Sequence, residues 1–205
     1  FATEYRDKLN FVANFNVPLA WRNQYCGVFT YSLNNVTYYF IDNEYYFKRD
    51  GLYGYYDDGE RFAFFSKAVI ETLKNLNYYP DVLHAHDWQS ALSVIYLKTL
   101  YANDDNFSNI KTAFTIHNIE YQGKFGYEAL GDLFGLGEEH KSILDYDGCL
   151  NLMKGAMVLT DKITTVSPTY ASEIKYDFFS HGLSSITEAF KDKTVGILNG
   201  IDESL

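Results

Sequence analysis

The chain is short of basic residues, of cysteine and of long apolar runs, and each shortage removes a class of function. Lys and Arg number 17 against 27 Asp and Glu, giving a net charge of −10 and a pI of about 4.9. A surface for nucleic acid or anionic lipid needs clustered cations, so neither a nucleic-acid nor a membrane partner is expected. No stretch approaches the roughly 18 apolar residues of a membrane span. The opening FATEYRDKLN does not read as a signal peptide. The two cysteines, Cys26 and Cys149, lie far apart in sequence. Such sparse usage fits a reducing compartment, so a cytoplasmic location is expected. Internal repeats, low-complexity tracts and a clear domain linker are missing too. So are a P-loop, a G-x-G-x-x-G fingerprint and a G-x-S-x-G nucleophile elbow.

What is present is apolar and aromatic. The 205 residues are 47% hydrophobic and 18% aromatic, with 19 Tyr and 16 Phe. That composition excludes disorder, and the length suits one large domain or two small ones with a sizeable core.

Residues 81–97, DVLHAHDWQSALSVIYL, organise the rest. A short apolar run ending at His86-Asp87 passes into a longer one at helical spacing, which predicts a buried strand and then a helix capped by Asp87. In an open α/β sheet the carboxyl end of such a strand lies at the ligand-binding rim. Upstream, CGVFTYSLNNVTYYFI predicts a hairpin turning at Asn34-Asn35. Residues 42–59 form a loop rich in Tyr, Gly and Asp, whose rings either stack on sugars or pack the loop down. Residues 60–77 are helical by period, with Phe62, Phe65, Val69, Leu73 and Leu76 on one face. Downstream, KTAFTIHN, KITTVSP and TVGILNGID predict strands that end at His117-Asn118, Ser167 and Asn199-Gly200, with Ser167-Pro168 opening a helix. Residues 119–150 read as loop and short helix.

Strands alternating with helices argue for a parallel sheet with helices on both faces. All its carboxyl ends lie on one edge, so polar residues spread over the second half of the chain converge on one cleft. Three chemistries compete for it. His84 and His86 share a strand face and would make a metal pair if His117 or Asp87 joined them; the plain alternative is a packed strand histidine. A serine nucleophile has no supporting motif, and Ser167 reads as a cap. Neutral recognition of a hydroxyl-rich ligand fits better. Carboxylates and amides bond sugar hydroxyls, and aromatic faces cover the apolar side of the ring.

The runs WRNQYCGVF, NVTYYFIDNEYYFKRDGLYGYYDDGERFAFFSKA, DVLHAHDWQSAL, KTAFTIHNIEYQGKF, ITTVSPTYASEI and VGILNGID together resemble the bacterial glycogen synthases, close kin of the plant starch synthases. The resemblance implies a retaining glucosyltransferase that moves glucose from ADP-glucose to the non-reducing end of an α-1,4-glucan, without metal or other cofactor. It also implies the GT-B fold of two Rossmann-like domains. The whole of 1–205 then reads as a single partial domain, the N-terminal acceptor-side one. It lacks the family's first strands with their Lys-x-Gly-Gly-Leu loop, and the second domain that holds most nucleotide contacts. Alone, the piece is expected to be inactive. By resemblance Asp87 and His117 are catalytic, Asp87 near the transferred glucose and His117 against its 6-hydroxyl. Asn118, Tyr121, Gln122 and Asn199 bind substrate. A non-catalytic glucan-binding module is the alternative function.

The missing strands carry a further expectation. In the order 3-2-1-4-5-6, residues 82–86 are strand four and 37–41 strand three, so strand four faces a gap. An exposed apolar edge invites pairing. Either 37–41 moves in beside 82–86, or a second copy of the chain fills the gap as a homodimer.

Overall fold

The computed structural model describes residues 6–201. It opens with an antiparallel meander of β1 (Asn10–Leu19), β2 (Arg22–Leu33) and β3 (Val36–Asp42). Leu33 pairs with Val36, and Asn34 and Asn35 take φ of 51° and 62° between them. A two-residue hairpin turn of the primed type requires those signs, and Asn tolerates them, so the expected hairpin forms where the sequence put it. Strand β1 was not expected. Its signal is the alternation of Ala13, Phe15, Val17 and Leu19 with Asn14, Asn16 and Pro18, and the inner end of that series, Val17 and Leu19, is buried.

A one-turn helix α1 (Glu44–Phe47) follows, capped by Asn43, whose Oδ1 accepts from the Tyr46 N–H at 3.0 Å. Helix α2 (Asp58–Asn75) then packs on β1, β3 and the next helix. The stripe read from its sequence is only half-buried; the fully buried apolar residues are its neighbours Ala63, Phe64, Ala68 and Ile70. Being gripped from two sides, α2 needs a wider buried surface than one stripe supplies.

The parallel layer comes next: β4 (Val82–His86), α3 (Asp87–Lys98) and β5 (Lys111–Ile116). A small excursion follows, with β6 (Lys124–Phe125), α4 (Ala129–Asp132), α5 (Lys141–Leu144), β7 (Asp145–Tyr146) and β8 (Cys149–Asn151). Helix α6 (Leu152–Leu159) then leads to β9 (Lys162–Thr165), α7 (Pro168–Glu173), α8 (Asp177–Ser180), α9 (Ser184–Ala189) and β10 (Thr194–Gly196). The short strands pair as β6-β8-β7, a second antiparallel sheet where the sequence predicts loop and short helix. Ser167 caps α7 as expected, its Oγ accepting from the Tyr170 N–H at 2.9 Å, with Pro168 in the first turn. The last strand is shorter than expected, ending at Gly196 rather than Asn199.

The parallel sheet has the order β10-β9-β5-β4. Its core side carries Leu83, Ala85, Phe114 and Ile163, all buried beneath the helical layer. On β4 the burial alternates strictly, so Val82, His84 and His86 are exposed; that strand is covered on one face only among the described residues. Residues 37–41 do not move in beside β4. They stay in β3, fully paired to β2, because the two-residue turn holds the hairpin together. Among the described residues β4 pairs only with β5, and its outer edge stays free.

Candidate active site

Strand β4 ends at His86, opposite Thr115 of β5, so the residues that follow each strand emerge side by side. Asp87 turns the corner with φ of 55°. Asp tolerates this left-handed conformation better than most residues, but it is uncommon outside turns and sites under constraint. The conformation aims its carboxylate back across the strand ends. Oδ1 accepts from the His117 N–H at 2.8 Å and, at the long distance of 3.5 Å, from that of Asn118. Capping of α3 by Asp87, the plain alternative, is absent: the helix has no side-chain cap bond. Ser90 tightens this turn instead, accepting from the His86 N–H and donating to the His86 carbonyl, both at 2.6 Å. Oδ2 of Asp87 has no hydrogen-bond partner among the described residues.

The histidines cluster here. His86 Nδ1 and His117 Nε2 are 3.0 Å apart, and the His84 and His86 rings lie 4.2 Å centre to centre. Partial desolvation where the rings crowd together lowers the affinity of His84 and His86 for protons, and the charge of neighbouring imidazoles lowers it further. For His86 the Asp87 carboxylate pulls weakly the other way. Among the described residues no group of three or more His, Cys, Asp or Glu has the geometry to hold a metal ion.

A cavity of about 510 Å³ opens beside this corner. Asp87, Asn118 and Tyr121 line it, joined by Trp88 and Gln89 from the start of α3. Tyr53 and Gly54 of the aromatic loop and Asp58 at the start of α2 complete it. Sequence reasoning flagged that loop but singled out none of its residues. Tyr53 and Tyr121 are largely exposed. Trp88 is braced edge-on by Phe62, with ring centres 5.1 Å apart. The loop answers to both readings of its aromatics: Tyr46 is wholly buried, while Tyr53 and Tyr56 face outward. Asn118 closes an Asx turn, its Oδ1 accepting from the Glu120 N–H at 2.9 Å.

The remaining two candidates lie apart from that corner. Gln122 is buried, its Nε2 donating to the Ile119 and His181 carbonyls, each at 3.0 Å, and its Oε1 accepting from Asn151 at 2.8 Å. Its amide ties its own loop to the end of β8 and to the turn at His181. Gly123 beside it has φ of 66°, and a Cβ there would stand 2.7 Å from the Trp88 ring. Asn199 sits exposed in the irregular segment after β10.

Residues 2–189 match the family described as the starch synthase catalytic domain. The chain is 50% identical over 192 residues to the glycogen synthase of Bacillus cereus (strain Q1), covering 93% of this chain and 40% of that protein. It is 48% identical over 200 residues to the glycogen synthase of Alkaliphilus metalliredigens (strain QYMF), covering 97% of this chain and 42% of that one. The fold superposes with a TM-score of 0.86 and 30% identity on the catalytic domain of starch synthase IV from Arabidopsis thaliana bound to ADP and acarbose. That match covers 96% of this chain and 41% of the plant chain. The chain thus spans about two-fifths of the length of the proteins it matches.

Proposed function

The chain belongs to the starch synthase catalytic domain family, and from that premise we propose that it forms the acceptor-side part of a cytoplasmic glycogen synthase. The intact protein would transfer glucose from ADP-glucose to the non-reducing end of an α-1,4-glucan with retention of configuration. The nucleotide and sugar that name the Arabidopsis complex, ADP and acarbose, support that donor and acceptor. In this reading a second Rossmann-like domain supplies the groups around the leaving phosphate. Residues 1–205 are one partial domain, which transfers no glucose by itself. The free edge of β4 is paired in the intact protein, by further chain or by a second copy.

One observation carries the reading. A carboxylate oxygen of Asp87 with no described partner stands at the wall of an aromatic-lined cavity, held there by a bond to its other oxygen. Charge develops at the anomeric carbon as the bond to phosphate breaks. A fixed carboxylate stabilises that charge, or orients the attacking acceptor hydroxyl. Tyr121 and Tyr53 offer ring faces to the glucan, whose C–H faces are apolar. Asn118 and Asn199 belong to the substrate-binding set by family resemblance, while the buried Gln122 supports that set from behind by anchoring the loop backbone. His117 meets the 6-hydroxyl of the transferred glucose. The chemistry asks for no metal or other cofactor.

The test is incorporation of labelled glucose from ADP-glucose into glycogen by the intact protein. Transfer with retained anomeric configuration, unaffected by EDTA, is expected. An intact, folded protein that transfers nothing from ADP-glucose or UDP-glucose would overturn the reading.

A further inference from the structure

We infer that His86 is a positioning residue that holds the His117 ring so that its Nδ1 is the atom offered to the sugar. The inference rests on the glucosyl-transfer reading of the site.

His117 sits exposed at the end of β5, and among the described residues its ring has one polar partner, His86 Nδ1 at 3.0 Å from its Nε2. Its backbone is fixed separately by Asp87. So backbone and ring are set by adjacent residues of β4 and the turn beyond it. His86 is itself anchored three ways. Its backbone is closed onto Ser90 by the two 2.6 Å bonds. Its strand position is paired with Thr115. Its ring stacks on His84, which is tied through Thr115 to Thr164 by contacts of 2.6 and 2.5 Å. A row of polar side chains across three parallel strands thus ends in the His86–His117 bond.

The bond also limits the proton count. Two ring nitrogens at this distance share one proton, so at least one of the rings is neutral while the bond lasts. If His86 donates, His117 Nε2 is bare and its Nδ1 carries the proton. If a neutral His117 donates, its Nδ1 is bare. In both tautomers Nδ1 is the one ring nitrogen of His117 left for a ligand, and a sugar hydroxyl, donor and acceptor at once, satisfies either.

The experiment is a double-mutant cycle in the intact protein, using His86→Ala, His117→Ala and the pair. His86→Ala is expected to lower kcat/KM about 10- to 100-fold, chiefly in kcat, as slight misplacement of a reacting partner does. His86→Asn, which keeps a polar atom near the Nδ1 position, recovers most of the rate. In the His117→Ala background the loss of His86 costs nothing further, since its action runs through His117. Should His86→Ala not fold, His86→Phe keeps the stacking on His84 without the nitrogen and runs the same cycle. Additive losses, or a His86→Ala enzyme as fast as the unaltered one, would overturn the inference. An unaltered protein without transfer would instead overturn the functional reading beneath it.

Discussion

Asp58 and Asp87 line the same cavity from two parts of the chain, and they are held differently. Asp58 spends both oxygens on its own neighbourhood: Oδ2 accepts from the Gly54 N–H at 2.6 Å and the Tyr55 N–H at 3.1 Å, and Oδ1 pairs with the guanidinium of Arg61. Arg61, buried, passes the connection on to the carbonyls of Tyr46 at 2.7 Å and Leu52 at 3.3 Å. Every partner of that network lies within fifteen residues of Arg61. Asp87 commits one oxygen, to a strand thirty residues away, and leaves the other open. A carboxylate saturated by local bonds builds a wall. One anchored at a single oxygen in an uncommon backbone conformation is available for chemistry.

The sharpest way to break this contrast is to neutralise each carboxylate in turn in the intact protein. Asp87→Asn keeps an oxygen for the His117 N–H and loses the charge. Turnover is expected to fall about 10²- to 10³-fold, with the melting temperature essentially unchanged. A matching loss of stability would place Asp87 with Asp58 as a structural group.

Asp58→Ala should do the reverse. It strips the partner from a buried guanidinium, and stability is expected to fall by about 3 kcal/mol, measured by denaturant unfolding. The pair is shielded from water, with side-chain exposures of 3% for Arg61 and 13% for Asp58. An unchanged midpoint would mean that the loop does not depend on this network.

Gln122→Ala probes the scaffold behind the rim. The Ile119 and His181 carbonyls and the Asn151 amide each lose a partner, at a cost of about 2 kcal/mol. The expected signature is a lower unfolding midpoint with turnover per folded molecule little altered. A selective loss of turnover with normal stability would move Gln122 into the site itself.

Tyr121→Ala should touch only the acceptor. Loss of one exposed ring face is worth about 1 kcal/mol, read as a roughly five-fold rise in KM for glucan at constant kcat. A change in kcat would show that the ring serves the reacting centre.

The smallest effect is on pH. His84 and His86 bind protons less readily in the fold than in the unfolded chain. The unfolded state therefore takes up more protons near its ordinary histidine value, and stability rises with pH there. Stability should be full above about pH 6.5 and decline as pH falls through the lowered folded values. Replacing both histidines by Gln should flatten that limb; an unchanged limb would assign it to carboxylates.

Much of the carboxyl rim was legible because its signals are local. The strand–helix junction at Asp87, the Ser167 cap and the Asn34-Asn35 turn each rest on residues within a few positions of one another. The alternation in β1 was equally local and went unread, its outward positions being occupied by Asn and Pro. The roles of Asp58 and Gln122 were not legible in the same way, since both depend on which loop backbones come within bonding distance.

By itself the sequence determined the hairpin, the alternation of the parallel strands with their helices, the edge at which polar residues gather, and the family likeness, because periodicity, turn chemistry and motif spacing are properties of neighbouring residues. Only the tertiary structure decided that Asp87 reaches to His117 instead of capping its own helix, that the His86 and His117 rings meet nitrogen to nitrogen, that β3 stays with its hairpin, and that Gln122 faces inward. Each of those depends on the relative placement of segments far apart in the chain, which packing and backbone pairing fix and which no local pattern encodes.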